Sequence, residues 1–299
     1  MVVLVTGGSG FIGSHLVDQL IKKGYEVRVF DEREPIQKEK VDWIRGNLLN
    51  PNDLQEAGRD VNYIFHLAAI ADVNVALTDP KRCVEVNEIG TINLLNMARA
   101  HEVERVILAS STWVYGEQSS VNEESPIPFP EHVYTKTKIG QEHLVYTWNQ
   151  AFGIPYTILR YDIPYGPRMR QNLVLAVFVR RAESGDPITI YGDGKQGRCF
   201  IYVSDLAEGN VYALKELGKN QIFNLADSKF VTINDIVDVL KKQYPNLIVN
   251  YAPARPGDFK GVKVDISKAE RLLGWKPKTS FEEGVSKYLQ YLKSFSRAS

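Results

Sequence analysis

Short apolar runs alternate with longer amphipathic patterns through the first half of this 299-residue chain. The apolar runs have the length and β-branched composition of strands that are buried on both faces of a parallel sheet. They lie at residues 2–5, 25–30, 61–67, 103–109 and 156–160. The amphipathic patterns predict helices at residues 11–23, 84–100 and 133–152. This alternation predicts an α/β fold, a Rossmann-like doubly wound parallel sheet.

A glycine-rich turn follows the first predicted strand, with the sequence Thr6-Gly7-Gly8-Ser9-Gly10-Phe11-Ile12-Gly13. Gly7 permits the tight turn, Gly10 lets a pyrophosphate approach the backbone, and Gly13 lets the following helix pack closely on the sheet. The N–H groups at the start of that helix, where Phe11 and Ile12 lie, point towards the phosphates. The turn therefore predicts a dinucleotide site.

Asp31 follows the second predicted strand, eighteen residues after Gly13. A carboxylate there accepts hydrogen bonds from the adenosine ribose hydroxyls and repels a 2′-phosphate, so the site favours NAD over NADP. Arg33 is a nearby guanidinium able to bind such a phosphate, which weakens the preference slightly. We expect NAD as the cofactor.

Proline and glycine become frequent after Tyr161, and we place a domain boundary there. Residues 1–165 are predicted to form the NAD-binding Rossmann domain. Residues 166–299 are predicted to form a smaller C-terminal α/β domain, a substrate-binding lid over the ends of the strands. The segment at about residues 198–223 is expected to return to the first domain.

Composition excludes several kinds of partner. Lys plus Arg and Asp plus Glu both number 36, so no excess of positive charge suggests binding to nucleic acid or to an anionic membrane. Cys83 and Cys199 are far apart and have no neighbours at metal-ligand spacing, so we expect neither a disulfide framework nor a metal site. The first strand is predicted from Val2 and no apolar run approaches membrane-spanning length, so a cytoplasmic protein is expected.

Tyr134 and Lys138 are four residues apart on the predicted helix at 133–152, so their side chains share one face. An ammonium beside a phenol lowers the pKa of the phenol, which makes tyrosine usable as a base near neutral pH. Ser110-Ser111-Thr112 directly follows the predicted strand at 103–109, at the carboxyl edge of the sheet. Its hydroxyls can hydrogen-bond a substrate oxygen that Tyr134 deprotonates.

With these residues in place, the chain resembles the extended short-chain dehydrogenase/reductase family, in its nucleotide-sugar epimerase branch. The resemblance covers nearly the whole length and includes several motifs in the order found in that family. They are residues 6–13, His66-Leu67-Ala68-Ala69, Val114-Tyr115-Gly116, residues 134–138, Leu159-Arg160-Tyr161, Tyr165-Gly166-Pro167-Arg168, residues 192–198, residues 255–258 and Leu273-Gly274-Trp275.

The resemblance implies an isomerase that inverts C4 of a nucleotide-diphosphate sugar, of the UDP-glucose/UDP-galactose type, through a transient 4-keto sugar. It implies that Tyr134 is the acid/base, that Lys138 holds the nicotinamide ribose and tunes Tyr134, and that Ser111 is the catalytic serine. It also implies a homodimer through the helices at 84–100 and 133–152.

The remaining site residues are expected in two groups. For the cofactor they are Gly7, Gly10, Phe11, Ile12, Gly13, Asp31, Asn47, Leu48, Leu67, Ala68 and Ala69, together with Tyr134 and Lys138. For the substrate they are Ser111, Thr112, Asn172, Arg198 and Arg255. Arginine suits a diphosphate because its planar fork binds phosphate oxygens bidentately.

Two departures from the family pattern bear on the reaction and the substrate. Dehydratases and UDP-glucuronate decarboxylases of this family carry a glutamate two residues after the catalytic Ser/Thr, where this chain has Trp113, and an indole cannot act as a general acid or base. Ile163 stands where relatives commonly have an asparagine that holds the substrate diphosphate, so the sugar nucleotide stays open. The alternatives are a reductase of nucleotide-linked keto-sugars, another sugar-nucleotide epimerase, and a non-catalytic NAD-binding regulator.

Overall fold

The computed structural model describes residues 1–254 and 260–296. Its strands are, in chain order, β1 (Val2–Thr6), β2 (Glu26–Asp31), β3 (Asp42–Arg45), β4 (Tyr63–His66), β5 (Arg105–Ser111), β6 (Ser120–Val121), β7 (Tyr156–Tyr161), β8 (Pro164–Tyr165), β9 (Ile188–Tyr191), β10 (Gly197–Arg198), β11 (Ile201–Tyr202), β12 (Gln221–Leu225), β13 (Val231–Thr232), β14 (Val249–Ala252) and β15 (Lys263–Val264). Its helices are α1 (Phe11–Lys22), α2 (Pro51–Ala57), α3 (Val73–Thr78), α4 (Pro80–Val84), α5 (Gly90–Ala100), α6 (Val133–Phe152), α7 (Val174–Ser184), α8 (Val203–Tyr212), α9 (Ile233–Gln243) and α10 (Phe281–Ser296).

Seven strands form one parallel sheet in the order β12-β7-β5-β4-β1-β2-β3. The predicted Rossmann-like fold is confirmed. The strand order reverses between β1 and β4, and open α/β sheets bind ligands at the carboxyl ends of the strands beside such a switch point. The loops that follow β1, β4 and β5 therefore meet where a site is expected.

Apolar side chains cover both faces of this sheet, as the continuous apolar runs predict. Val3 and Val5 belong to the core that contains Leu16 of α1, whereas Leu4 belongs to the core on the other face with Leu94 of α5. Every residue of β5 and β7 is buried. Full burial of one such aliphatic side chain contributes about 1.5–3 kcal/mol, so the two layers hold the strand ends in fixed positions.

The C-terminal half packs around a separate aromatic core. The Tyr165 ring lies 5.0 Å from the Phe281 ring and 5.8 Å from the Tyr202 ring, between centroids. The chain then returns to the central sheet, because β12 pairs with β7 and α8 packs on α1. The boundary at residue 165 and the return at about 198–223 stay predictions.

The helix predicted at 84–100 is divided in the structure. It begins earlier, at Pro80, where the Asp79 side chain accepts from the Arg82 N–H, and a π-helical turn at Glu85–Ile89 separates α4 from α5. Asn87 lies in this turn, and its side-chain amide makes two hydrogen bonds with the backbone of Ile70, 2.8 and 3.0 Å long. The irregular turn therefore fixes the loop after β4, which lies beside the switch point.

No helix within residues 1–254 or 260–296 is both long enough and apolar enough to cross a bilayer.

Candidate active site

The turn after β1 has a backbone that requires glycine. Gly7 has φ of +72°, and a Cβ there would lie 2.7 Å from the Ala68 nitrogen. A Cβ on Gly13 would overlap the carbonyl oxygen of Gly7, so Gly13 allows the helix to pack on the turn itself rather than on the sheet. Gly10 lines a cavity, and a Cβ there would meet the Gly7 oxygen at 3.1 Å. The backbone at Gly10 is thus open to a ligand.

Two neighbouring cavities, of about 460 and 730 Å³, extend along the carboxyl edge of the sheet. Gly7, Gly10 and Leu67 line both of them. The α1 helix begins at their shared wall, and the first N–H groups of a helix have no acceptor within the helix. An uncharged first turn with free N–H groups suits a pyrophosphate, and Phe11 and Ile12 supply it.

Asp31 lies at the end of β2, where the smaller cavity begins. Its two carboxylate oxygens accept hydrogen bonds from the backbone N–H groups of Ser9 and Arg33, each 3.0 Å long. The Arg33 side chain is 73% exposed, and its Nε lies 3.9 Å from Asp31. These bonds fix the carboxylate in place, and each oxygen keeps a lone pair for a ribose hydroxyl.

The far wall of the smaller cavity contains the other residues predicted to hold the adenosine half. Leu48, Leu67, Ala68 and Ala69 line it together with Asn47. The Asn47 amide is already engaged: its Nδ2 donates to Glu32 at 2.6 Å, and its Oδ1 accepts from the N–H of Leu49 at 2.8 Å. The observed cradle of glycines, helix N-terminus and carboxylate fits a bound NAD.

His66 lies at the end of β4 and connects this cradle to the helices behind it. Thr91 Oγ1 donates to the Asn87 carbonyl at 2.5 Å and accepts from Gln141 at 2.8 Å, so His66 Nε2 must donate to Thr91 over 2.9 Å. Nδ1 then accepts from the Thr6 hydroxyl at 2.8 Å. Burial lowers the pKa of His66 to about 3, so the ring is neutral. Its role is structural.

The structure brings Ser111, Tyr134 and Lys138 to the wall of the larger cavity. Ser111 ends β5, and its side chain hydrogen-bonds to that of Tyr134. Lys138 follows Tyr134 by one turn of α6, with its Nζ 5.9 Å from the centre of the Tyr134 ring and 2.8 Å from the Ala109 carbonyl oxygen. The three side chains therefore converge from two elements on one point of the cavity.

Burial dominates the protonation of this group. It raises the pKa of Tyr134 to about 12, against the hydrogen bond from Ser111 and the charge of Arg170, which lower it. Burial lowers the pKa of Lys138 to about 8, against the charge of Glu142. The sequence argument took Lys138 as the cation that lowers the pKa of Tyr134. In the structure Arg170, on the loop after β8, is a second cation that lowers the pKa of Tyr134, and the tuning of Tyr134 by Lys138 stays a prediction.

The residues predicted to bind substrate are divided. Thr112 is almost fully buried, and its hydroxyl donates to Asp162 at 3.1 Å. Asn172 lines the cavity, but its amide donates to Asp72 at 2.8 Å. Arg198 donates to the carbonyl of Gly197 at 2.7 Å. Arg255 lies outside the described residues. Ser111 and Asn172 are thus at the cavity, whereas Thr112 and Arg198 lie behind its wall near Asp162.

Sequence reasoning missed four charged groups in or beside this site, which are Asp72, Glu142, Asp162 and Arg170. Arg170 lines the larger cavity, and its Nη1 lies 3.6 Å from the carboxylate of Asp72. Asp162 also lines it, and burial raises the pKa of that carboxyl to about 6. Glu142 lies behind Ser110, which donates to it at 2.5 Å. A signal existed for Glu142 alone, since it follows Lys138 by four residues on a helix.

Trp113 and Ile163 also line the larger cavity, so both departures from the family pattern lie at the site itself. The Trp113 ring packs beside the His132 ring, with centroids 6.0 Å apart. Among the described residues there is no group of three or more His, Cys, Asp or Glu side chains that could hold a metal.

Comparison with known proteins places these features in a family context. The model of the NAD dependent epimerase/dehydratase family matches residues 3–226. A UDP-glucose 4-epimerase of Thermotoga maritima, solved with UDP-glucose, has a TM-score of 0.92 at 33% identity, over 99% of this chain and 100% of that one. A UDP-glucuronic acid 4-epimerase of Bacillus cereus, solved with UDP-glucuronic acid and NAD, has a TM-score of 0.91 at 33% identity with the same coverage.

A third similar protein is named for a different reaction. UDP-glucuronic acid decarboxylase 1 of Danio rerio is 34% identical over 303 residues, which cover 97% of this chain and 72% of that protein. Proteins about equally similar to the chain therefore differ in the sugar they bind and in the reaction after which they are named.

Proposed function

The chain belongs to the NAD-dependent epimerase/dehydratase family, and from that premise we propose that it is an isomerase that inverts C4 of a nucleotide-diphosphate sugar. The substrate is of the UDP-glucose/UDP-galactose type, and the reaction passes through a transient 4-keto sugar. UDP-sugars are bound in the similar structures from Thermotoga maritima and Bacillus cereus.

In this proposal Tyr134 removes the proton from the sugar 4-hydroxyl and later returns a proton to the 4-keto oxygen. Bound NAD supplies a reversible acceptor for the hydrogen of C4. Ser111 donates a hydrogen bond to the same sugar oxygen. The contact between the Ser111 and Tyr134 side chains favours this arrangement. Lys138 keeps positive charge beside the phenol, with its Nζ held by the Ala109 carbonyl. The proton leaves and returns at one phenolic oxygen.

The observation that carries the choice of epimerisation is the position of Trp113. It lines the cavity together with Ser111 and Tyr134, where dehydration or decarboxylation would need a further acid/base. Asp162, which precedes Ile163, is a carboxyl group that also lines the cavity. Its two oxygens accept hydrogen bonds from the Thr112 hydroxyl at 3.1 Å and from the Cys199 N–H at 2.9 Å. Both of its carboxylate oxygens are thus already engaged within the protein.

The test is incubation of the purified protein, with no cofactor added, with UDP-glucose, UDP-galactose, UDP-N-acetylglucosamine, UDP-glucuronate, dTDP-glucose and GDP-mannose, and resolution of the products by NMR. We expect one pair of C4 epimers to interconvert to a stable ratio. A parallel incubation contains a nucleotide-linked keto-sugar with NADH or NADPH. Turnover there, with no interconversion of C4 epimers in the panel, would contradict the proposal and indicate a reductase. Release of carbon dioxide from UDP-glucuronate would indicate a decarboxylase.

We also propose a homodimer through α5, α6 and the π-helical turn. Large apolar side chains are exposed there: Ile89 by 46%, Tyr146 by 53% and Phe152 by 44%. Such side chains gain most when a second copy covers them. Light scattering is expected to give twice the chain mass, and the Tyr146→Lys variant is expected to give a monomer. Tyr251→Lys, a change at an exposed tyrosine on β14, is the matched control. A monomeric parent protein would refute the dimer.

A further inference from the structure

A buried ion pair that the proposed reaction does not use lies behind the strand end that carries Ser111. Glu142 of α6 and Arg160 of β7 are 6% and 3% exposed. Arg160 donates from Nε to one carboxylate oxygen at 3.0 Å and from Nη2 to the other at 2.7 Å. A buried pair of this kind adds little net stability compared with a well-packed apolar pair, because both charges lose their hydration.

Glu142 has one further hydrogen bond, and its partner Arg160 is itself held in place. The hydroxyl of Ser110 donates to it at 2.5 Å. Arg160 donates from Nη1 to the Tyr115 hydroxyl at 2.9 Å, and that hydroxyl donates to Asn224 of β12 at 2.7 Å. The carboxylate therefore has a fixed position set by three strands, β5, β7 and β12.

Lys138 precedes this fixed carboxylate by four residues on α6. The two residues are one helical turn apart on the same face of α6. Lys138 Nζ donates to the carbonyl of Ala109, and the next residue along β5 is Ser110, which binds Glu142. The two side chains thus contact adjacent residues at the end of β5. Tyr134, Lys138 and Glu142 form a ladder at intervals of four residues along α6.

We propose that Glu142 is a positioning residue: its buried carboxylate keeps Lys138 protonated at neutral pH, and so supports the proton chemistry of Tyr134 without touching substrate or cofactor. This inference rests on the proposed function only for the role that it gives to Lys138.

The charges around Lys138 support this assignment. Burial lowers its pKa to about 8, and Glu142 is the first group that opposes this, followed by Cys83 of α4. His66 on β4 is neutral, since its pKa is about 3, and Tyr134 holds its proton, since its pKa is about 12. Loss of the charge of Glu142 is therefore expected to lower the pKa of Lys138 further, from about 8 towards neutral pH.

The experiment follows the protonation of Lys138 directly. Proteins labelled with ¹³C at the lysine ε-carbon are titrated by NMR, and the Lys138 signal is identified with the Lys138→Arg variant. In Glu142→Gln we expect the Lys138 midpoint to fall by about one pH unit or more, as for loss of an opposite charge at short range. Glu142→Asp retains the charge and is expected to restore most of the midpoint. An unchanged midpoint in Glu142→Gln would overturn the inference.

Two further variants separate this effect from damage to the fold. Glu208→Gln removes a carboxylate that pairs with Lys278 at 2.8 Å, outside the site, and should leave the Lys138 midpoint unchanged. Glu142→Gln combined with Arg160→Gln leaves neither buried charge unpaired and therefore disturbs the fold less than Glu142→Gln alone. Its Lys138 midpoint is expected to fall below that of the parent protein, but by less than in Glu142→Gln, because the opposing charge of Arg160 is removed as well. A wild-type midpoint in the folded double variant would contradict the inference.

The readout does not depend on sugar turnover. A lowered Lys138 midpoint in a protein that converts no sugar of the panel would support the role of Glu142 and refute the proposed function. Where turnover is found, the alkaline limb of the kcat profile should move to lower pH in Glu142→Gln, because Lys138 loses its proton earlier. A pure packing role would lower kcat at every pH and leave the limb in place.

Discussion

Two glycine-to-alanine substitutions in the turn after β1 are expected to have different effects: Gly13→Ala lowers the stability of the fold, and Gly10→Ala lowers the affinity for NAD. Gly13→Ala places a methyl group against the carbonyl oxygen of Gly7, and within 2.9 Å of the Gly7 carbonyl carbon and of the Gly8 Cα. All three contacts are with backbone, so no flexible side chain can move aside. Gly10→Ala meets the Gly7 oxygen at 3.1 Å and adds its methyl group at the cavity wall.

The magnitudes decide the outcome for Gly13→Ala. Overpacking of a tight site costs about 1–3 kcal/mol. Replacement of glycine by alanine inside a helix returns about 1 kcal/mol. Because all the contacts are with backbone, the upper part of that range, about 2–3 kcal/mol, applies. After the helical gain is subtracted, the free energy of unfolding is expected to fall by about 1–2 kcal/mol. For Gly10→Ala, whose methyl group is at the surface of a cavity, the change should stay within about 0.5 kcal/mol, whereas the affinity for NAD should fall at least tenfold because the methyl group occupies the approach to the backbone.

The assay is urea unfolding of the two variants and of the parent protein, with NAD affinity measured by calorimetry on protein from which bound nucleotide has been removed. A Gly13→Ala protein as stable as the parent would refute the argument that the helix packs on the turn. A Gly10→Ala protein that binds NAD as tightly as the parent would refute the assignment of this turn to the pyrophosphate.

The remaining predictions concern the other side chains of the site. Tyr134→Phe is expected to lower sugar turnover by at least about 100-fold with NAD binding retained, and Tyr146→Phe, at an exposed position of α6, should leave turnover unchanged in the same NMR assay. Asp31→Ala should weaken NAD and reduce its preference over NADP, which competition binding measures. His66 has a folded-state pKa of about 3 against 6.5 when unfolded, so its contribution to stability is present above pH 6.5 and is lost as the pH falls towards 3. His66→Gln should therefore unfold with a weaker pH dependence in that range, and an unchanged dependence in urea titrations would contradict the neutral assignment.

Spacing along the chain was sufficient to predict the framework of this protein. The apolar runs predicted β1, β2, β4, β5 and β7 because a strand that is buried on both faces has few compatible sequences. Tyr134 and Lys138 share a face because helix geometry requires it. Such inferences need only residues that are close in sequence, and they hold wherever the element forms at all.

The features that sequence reasoning missed depend on contacts between distant segments. The π-helical turn at Glu85–Ile89 follows from the bonds of Asn87 to Ile70, seventeen residues earlier. Thr112 is turned from the cavity by Asp162, fifty residues away, and Asn172 is bound to Asp72, one hundred residues away. Local periodicity does not reveal Asp162 or Asp72 as a partner. The predicted contacts of Thr112 and Asn172 with substrate could therefore not be weighed against these contacts within the chain.

The pKa of Tyr134 also depends on contacts between distant segments. It determines how much stabilisation of the phenolate ligand binding must supply. A phenol with a pKa of about 12 needs about 7 kcal/mol of preferential stabilisation of its anion to act as a base at pH 7. The pKa of about 12 already includes the lowering effects of Ser111 and of Arg170, whose side chain is 46% exposed, so solvent screens its charge. The stabilisation that is still needed must arise when ligands enter the cavity and exclude water, because the same charges interact more strongly at lower dielectric. The spacing of Tyr134 and Lys138 thus predicts which residue is the base, whereas the activation of that base depends on the filled site.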